Sequence, residues 1–495
     1  MNLNSSRPLG DSTTVIDIAD RDEMDDDLFP LAATKSWFTR DTSRRCLNFS
    51  PVIQEFVHKG SAEFGGRLVF EIGAVKACDL LFTVALQVRL GHWLPDQVVQ
   101  ALQNGTYTYV DPDQAWYYAN ALGAAMIAKA EFMVDDQVLE TVDGDFTNCF
   151  GVLFSDINTQ FGFGVDGVAR IAIQDLKSSI YSETRVFPTT NGFISAILPF
   201  SFQRIRLRNG FPLLSCREGT VRVAITLRPF HECIRIADGI RTGCNDTPLG
   251  KTFAFNTGSG PINVTAATTV PQFTDARLVT YGMMVEGKLR KAMIHAPFER
   301  MYRELQTFRF TEPKKYVVNT PASGTVRLQF PIEVNGPVEE FIWFIRRKGV
   351  AVNNEWTNYS NRLESEIFAP DSDIYYPLQS MLVSATIQVN GITLIEAEGE
   401  HFRRQIAKRH RGGIVAYNSF VYGYSFAQNP GQQNPSGWMN ASRTTDVRIR
   451  MDIRPPPPDT NETDGIDMEF EVCIFSLAMN WVRFENGIVN KVFSS

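Results

Sequence analysis

The 495-residue chain is short of the residues that mark catalytic and metal centres. Its six histidines (58, 92, 231, 295, 401 and 410) form no H-E-x-x-H motif and no ligand-like cluster with cysteine, so no metal site is expected. There is no G-x-S-x-G elbow, so the common serine-hydrolase signature is missing. Seven cysteines (46, 78, 149, 216, 233, 244 and 473) are scattered without a C-x-x-C pair. That odd, unclustered count reads as reduced, buried thiols made in a reducing compartment. Positive charge is not in excess: the formal net charge is −7, which argues against a main surface built to grip nucleic acid. The opening MNLNSSRPLGDSTTVIDIADRDEMDDD has no apolar h-region, and no secretory signal is expected. No run reaches the ~18 to 20 uninterrupted apolar residues of a membrane span. The richest stretch, 119–134, is broken by Asn120, Lys129 and Glu131. The expectation is a protein made soluble in the cytosol.

What is present is a β-rich pattern. Phenylalanine is abundant, 36 residues against 14 Tyr and 7 Trp. Phe packs between sheets and needs no hydrogen-bond partner when buried, so the excess favours β-sheet cores. Residues 1–41 form a polar arm, acidic from Asp17 to Asp27 and followed by Phe29-Pro30-Leu31; it cannot bury a core of its own. From Arg67 onward short apolar runs flanked by Gly and Pro read as strands: 67–72, 78–90, 193–202, 220–230 and 276–286. Asp111-Pro112-Asp113 reads as the start of a helix passing through Trp116, Tyr117, Ala121 and Leu122. Residues 287–308 read as a mixed, partly helical connector interrupted by Pro297.

The chain repeats itself. AEFMVDDQVLETVDGD (130–145) aligns with ATIQVNGITLIEAEGE (385–400), placing Asp135-Asp136 on Asn390-Gly391 and Gly144 on Gly399 (399 − 144 = 255). Both read as hairpins, and Asn-Gly supplies the positive φ angles of a tight two-residue turn. RLVFEI (67–72) likewise aligns with RLQFPI (327–332), and CDLLFTVAL (78–86) with VEEFIWFIR (338–346), in the same order at nearly the same offset. Both copies end on strand, breaker-rich stretch, strand, with the breaker-rich stretches 238–275 and 455–465 read as exposed loops. Two duplicated β-sandwiches or barrels follow.

Several motifs invite a sharper reading and fail it. Gly162-Phe163-Gly164-Val165-Asp166-Gly167 matches G-x-G-x-x-G, but two more strands follow without a crossover, so it reads as a Gly-rich loop. Gly250-Lys251-Thr252 lacks the glycine that a phosphate loop needs five residues earlier; position 245 is Asn. His231-Glu232-Cys233 reads as strand, where neighbouring side chains point to opposite faces. Arg403-Arg404 and Lys408-Arg409-His410-Arg411 form the sharpest basic cluster. It reads as a solvated or intersubunit surface, with nucleic acid or lipid headgroups as the alternatives. Pro455–Pro458 reads as a stiff loop. Sequons begin at Asn104, Asn245, Asn263, Asn358, Asn440 and Asn461. No catalytic, cofactor-binding or metal-ligating residue is singled out.

Asn434-Pro435-Ser436-Gly437-Trp438-Met439-Asn440-Ala441-Ser442-Arg443 resembles the Q-P-S-G … N-x-S-R signature of the major capsid proteins of nucleocytoplasmic large DNA viruses, the double-jelly-roll family of algal viruses and iridoviruses. Residues 338–346 resemble that family's V-K-E-hydrophobic-x-W strand, and Gly399-Glu400-His401-Phe402-Arg403 its G-E-Y-F-R segment. Arg44 to Phe49 and Glu63 to Arg67 resemble the entry to its first jelly roll. The resemblance covers about residues 42 to 495. It implies an all-β fold of two tandem eight-stranded jelly rolls with short inserted helices: an arm 1–41, a first roll 42–286, a connector 287–303 and a second roll 304–495. It implies a structural, non-enzymatic subunit without cofactor that forms homotrimers of pseudo-hexagonal outline and tiles an icosahedral virion shell. Implied partners are its own copies, minor capsid proteins and, through the N-terminal side, an internal membrane. No direct nucleic-acid contact is implied, and assembly would take place in the host cytoplasm. The alternative is a β-sandwich glycan-binding or receptor-binding virion protein.

Overall fold

The computed structural model describes residues 49–493 apart from 74–76, 112–113, 155–192, 205–209, 237–242, 244, 316–324, 364–377, 412–419, 433 and 455–466. Two pairs of four-stranded antiparallel arrays make up most of it. In the first copy one sheet runs Phe49–Val57, Asp275–Val285, Leu80–Arg89, Phe193–Ile197, and the other Arg67–Ile72, Val221–Leu227, Ile127–Val134, Gln137–Val142. In the second copy the same order recurs. Phe298–Lys315, Asp467–Glu485, Pro337–Arg347 and Tyr422–Ser425 form one array, and Val326–Pro331, Val447–Ile453, Leu382–Val389 and Ile392–Glu398 the other. Neighbours in each sheet are separated in sequence the way a jelly roll requires, so the chain folds as two jelly rolls. The short strands Met439–Asn440 and Ile488–Lys491 extend the second copy's first sheet.

The repeat holds down to single residues. Both tight hairpins turn on a residue with positive φ, Asp135 at 55° and Asn390 at 51°; Gly391 is also positive at 79°. Each turn residue then ties its hairpin to the next strand: Asp135 Oδ1 accepts from Thr220 N at 2.8 Å, and Asn390 Oδ1 from Thr445 N at 2.9 Å. Both hairpins carry a register shift at the same relative place, after Phe132 and after Ile387. Gly144 and Gly399 each open a helix, Gly144–Phe154 and Gly399–Arg411. A Cβ on Gly144 would meet the carbonyls of Ala124 and Ile127, and one on Gly399 would stand 2.5 Å from the Leu382 carbonyl. Ile127 and Leu382 are again equivalent positions, so both glycines are required by space rather than by φ.

Several expectations need correction. Trp116–Tyr118 is a buried strand, not a helix; it pairs antiparallel with Ile234–Ile236. Three consecutive aromatic residues suit a pleated, buried surface better than a helix, and the local helix shrinks to Leu122–Ala125. The stretch 238–275 is not all loop. Thr252–Thr257 and Gly260–Thr265 form a hairpin that also pairs with Thr108–Tyr109, and its alternation buries Phe253 and Phe255. The strand starting at Phe193 stops at Ile197, before Pro199, and Ser201–Arg204 is a helical turn. The strand Val221–Leu227 stops short of Pro229, and Phe230–Glu232 is a 3-10 turn, so the strand argument for His231-Glu232-Cys233 does not apply. The helices Asp96–Gln103, Gly144–Phe154 and Gly399–Arg411 were not anticipated. Within 287–303 lie the helix Gly287–His295 and the start of the strand Phe298–Lys315, which runs through position 303.

Candidate functional site: the seam between the rolls

A double roll works as one rigid body only if its halves cannot slide. Buried charge holds them. Asp143 caps the helix Gly144–Phe154, its Oδ1 accepting from Phe146 N at 2.7 Å, while its Oδ2 lies 2.7 Å from Arg309 Nη2 in the second roll. Asp145, in the helix's first turn, meets two cations of the second roll: Arg346 Nη1 at 2.8 Å and Arg309 Nη2 at 2.7 Å. Glu471 on the neighbouring strand closes the cluster, 2.7 Å from Arg309 Nη1 and 2.6 Å from Arg346 Nη2. The Asp145 and Arg346 side chains are each only 4% exposed, so neither charge has water to fall back on. Burial pushes the Asp145 carboxyl up, but Arg346 and Arg309, with Arg228 beyond them, more than offset this and hold it well below the usual carboxylate range.

A second anchor sits nearby. Arg204 pairs with Glu140 inside the first roll and donates to the backbone carbonyl of Arg303 in the second. Arg303 in turn makes a two-pronged pair with Glu339, at 2.6 and 3.0 Å. Burial raises the Glu140 pKa against the pull of Arg204. A third anchor lies at the loops between strands. Asn354 Nδ2 donates to the carbonyls of His231 (2.7 Å) and Ile234 (2.6 Å), Trp356 Nε1 to that of Glu232 (2.8 Å), and Asn148 Nδ2 to Tyr359 Oη (2.8 Å). Apolar contacts run between these anchors: Phe146 meets Phe475 edge-on at 5.1 Å, and Phe211 meets Phe484 at 5.6 Å. The three anchors fix translation and rotation together, because directional bonds at separate points leave no common axis of slip.

None of these seam residues stood out in the sequence. One signal was available: FIWFI is flanked by Glu339, Glu340, Arg346 and Arg347, and charges inside a fully buried strand demand partners.

The motifs weighed for chemistry are not brought together. Gly162–Gly167 lies outside the described residues. Lys251 opens the small hairpin, with its Nζ 2.7 Å from Asp246 and over the Trp116 ring. His58 faces the Ala276 carbonyl and His92 that of Leu94. Among the described residues no group of three or more His, Cys, Asp or Glu could hold a metal ion. Five described cysteines are buried thiols outside any disulfide; burial pushes the thiols of Cys78 and Cys233 up to about 12, which leaves them poor nucleophiles. Cys46 and Cys244 lie outside the described residues. In the basic cluster Arg403 and Arg404 both pair with Glu400 on their own helix. Of the sequons, Asn358 is buried and bonded to Glu355, closed to any modifying enzyme in the folded state, while Asn104, Asn245, Asn263 and Asn440 are exposed. Asn461 lies outside the described residues.

Residues 290–490 match the family described as large eukaryotic DNA virus major capsid protein. The likeness to that family lies in this second part of the chain. A major capsid protein of Chrysochromulina ericina virus is 23% identical over 335 residues, covering 62% of this chain and 53% of that protein. The chain thus aligns with about half the length of that curated relative. The fold agrees with solved capsid structures: the PBCV-1 virus capsid (TM-score 0.61, 16% identity, 93% of this chain and 100% of that one) and the Faustovirus major capsid protein (TM-score 0.60, 11% identity, 91% and 93%).

Proposed function

We propose that the chain is the structural subunit of an icosahedral shell, acting as a homotrimer in which six jelly rolls surround one threefold axis. The observation that carries this is the strand-for-strand duplication locked by the buried seam. A duplicated, rigid body turns a threefold ring into a near-sixfold tile, and hexagons pave flat facets; head-to-tail contacts close when the rotation fits. In this reading residues 42–286 and 304–495 are the two rolls, 287–303 joins them, and no residue serves catalysis or holds a cofactor. The arm 1–41 and the N-terminal side face minor capsid proteins and an internal membrane. The direct partners are other copies, not nucleic acid, and assembly takes place in host cytoplasm.

Mass photometry of the purified protein is expected to give a trimer at nanomolar concentration. Its interfaces should exceed the ~1,600 Å² of a standard contact, as for permanent assemblies. A stable monomer across nanomolar to micromolar concentration defeats the reading.

The outward end of the tile carries the connections between the third and fourth and the seventh and eighth strands. In the first copy these two connections interlock through Trp116–Tyr118 with Ile234–Ile236 and Thr108–Tyr109 with Thr252–Thr257, which puts them at one end. Limited proteolysis of intact particles should therefore cut within 238–275. Cuts confined to residues 1–41 would mean that this end faces inward.

A further inference from the structure

The helix Gly287–His295 presents Lys288, Arg290, Lys291 and His295 to solvent, while Met293 on its other side is buried. Arg290 has a partner, with Nε 3.6 Å from Asp79; among the described residues no carboxylate stands within ion-pair distance of Lys288 or Lys291. Beside the helix lies an open cleft of about 650 Å³, within the size range of pre-formed binding sites. Its lining is chiefly apolar: Leu289 and Met293 from the helix, Leu80 and Pro212 from the first roll, Phe298 and Pro435 from the second. The acidic groups beside the helix and cleft are Asp79, paired with Arg290, Glu286, which precedes the helix, and Glu299, which lines the cleft. A concave apolar floor with a basic rim suits an acidic segment followed by bulky apolar side chains. A flat membrane surface could not fill such a hollow. The chain carries that chemistry in its own sequence: DIADRDEMDDD (17–27) has seven acidic residues and one basic, and Leu28-Phe29-Pro30-Leu31 follows at once.

We infer that this cleft is the docking site for residues 25–31 of a second copy of the chain. The carboxylates of Asp25, Asp26 and Asp27 meet Lys288 and Lys291, and Leu28, Phe29 and Leu31 enter the apolar floor. The inference rests on the shell reading, because only an assembly presents a neighbour's segment at high effective concentration.

Two forms of the full chain, co-expressed, test it. One carries p-benzoylphenylalanine in place of Phe29 together with Lys288→Glu and Lys291→Glu; the other is unaltered. After irradiation, peptide mapping should place the cross-links in 287–301 of the unaltered copy, recognised by its intact lysines. The yield there should be about tenfold above that on the charge-reversed copy, as expected for two reversed ion-pair contacts. Cross-links elsewhere, equal yields on both copies, or attachment to the charge-reversed copy alone overturn the assignment. Mass photometry of the same sample separates the two readings. A monomer defeats the shell reading and this docking with it, whereas an intact trimer with cross-links elsewhere defeats the docking alone.

Discussion

Arg346→Ala should lower the unfolding free energy by about 3 to 5 kcal/mol, the cost of leaving one partner of a buried ion pair uncompensated. Arg346 answers both Asp145, on the first roll's helix, and Glu471, directly across on the adjacent strand of the second. Its loss strands a carboxylate whose own side chain is 4% exposed, with Arg309 as the remaining nearby cation. Urea titration followed by tryptophan fluorescence would show the midpoint falling. A double variant, Arg346→Met with Asp145→Leu, should recover part of the loss, because it removes both charges and keeps much of the volume. If Arg346→Ala unfolds at the wild-type midpoint, the seam is not what holds the rolls together.

The same cluster sets the acid limit. Asp145 is held below its ordinary pKa in the folded state, whereas in the unfolded chain it returns to about 3.9. Its contribution is therefore complete above that value and is lost as pH falls below it toward the depressed folded value. Stability should drop steeply below about pH 4 in the wild type and less steeply in Arg346→Ala, which lacks the cation that depresses the pKa.

Gly144→Ala and Gly399→Ala should each cost about 1 to 3 kcal/mol or more, since the new methyl meets backbone carbonyls of a helical turn and of paired strands that cannot turn aside. Gly151 supplies a control of opposite sign. It lies inside the helix Gly144–Phe154, and a Cβ there meets nothing within 4 Å. Gly151→Ala should therefore stabilise by about 0.5 to 1 kcal/mol through helix propensity. Thermal unfolding of the three variants checks all of this at once. Equal shifts at Gly144 and Gly399 would show that the repeat extends to energetics, and a neutral Gly144→Ala would show that the Ala124 and Ile127 carbonyls can yield.

Much of the architecture was legible in the residues alone. Strand alternation marked the sheets, and the shared offset placed Gly144 on Gly399 and Asp135 on Asn390. These features are local: period, turn chemistry and steric room are set by a residue and its near neighbours in sequence. Residues 116–118 and 252–265 were misread because their partners are distant. Trp116 is a strand residue only once Ile236 lies beside it, and Phe253 becomes core only when the hairpin folds onto Tyr109. The seam was invisible for the same reason in stronger form. Asp145, Arg309, Arg346 and Glu471 look like ordinary surface charges until folding brings residues up to 201 apart within hydrogen-bond distance. Periodicity in a sequence reports which face of an element is buried. Which charge meets which inside the protein is decided by how the two rolls pack, since a buried charge takes its stability from a partner that only the tertiary structure supplies.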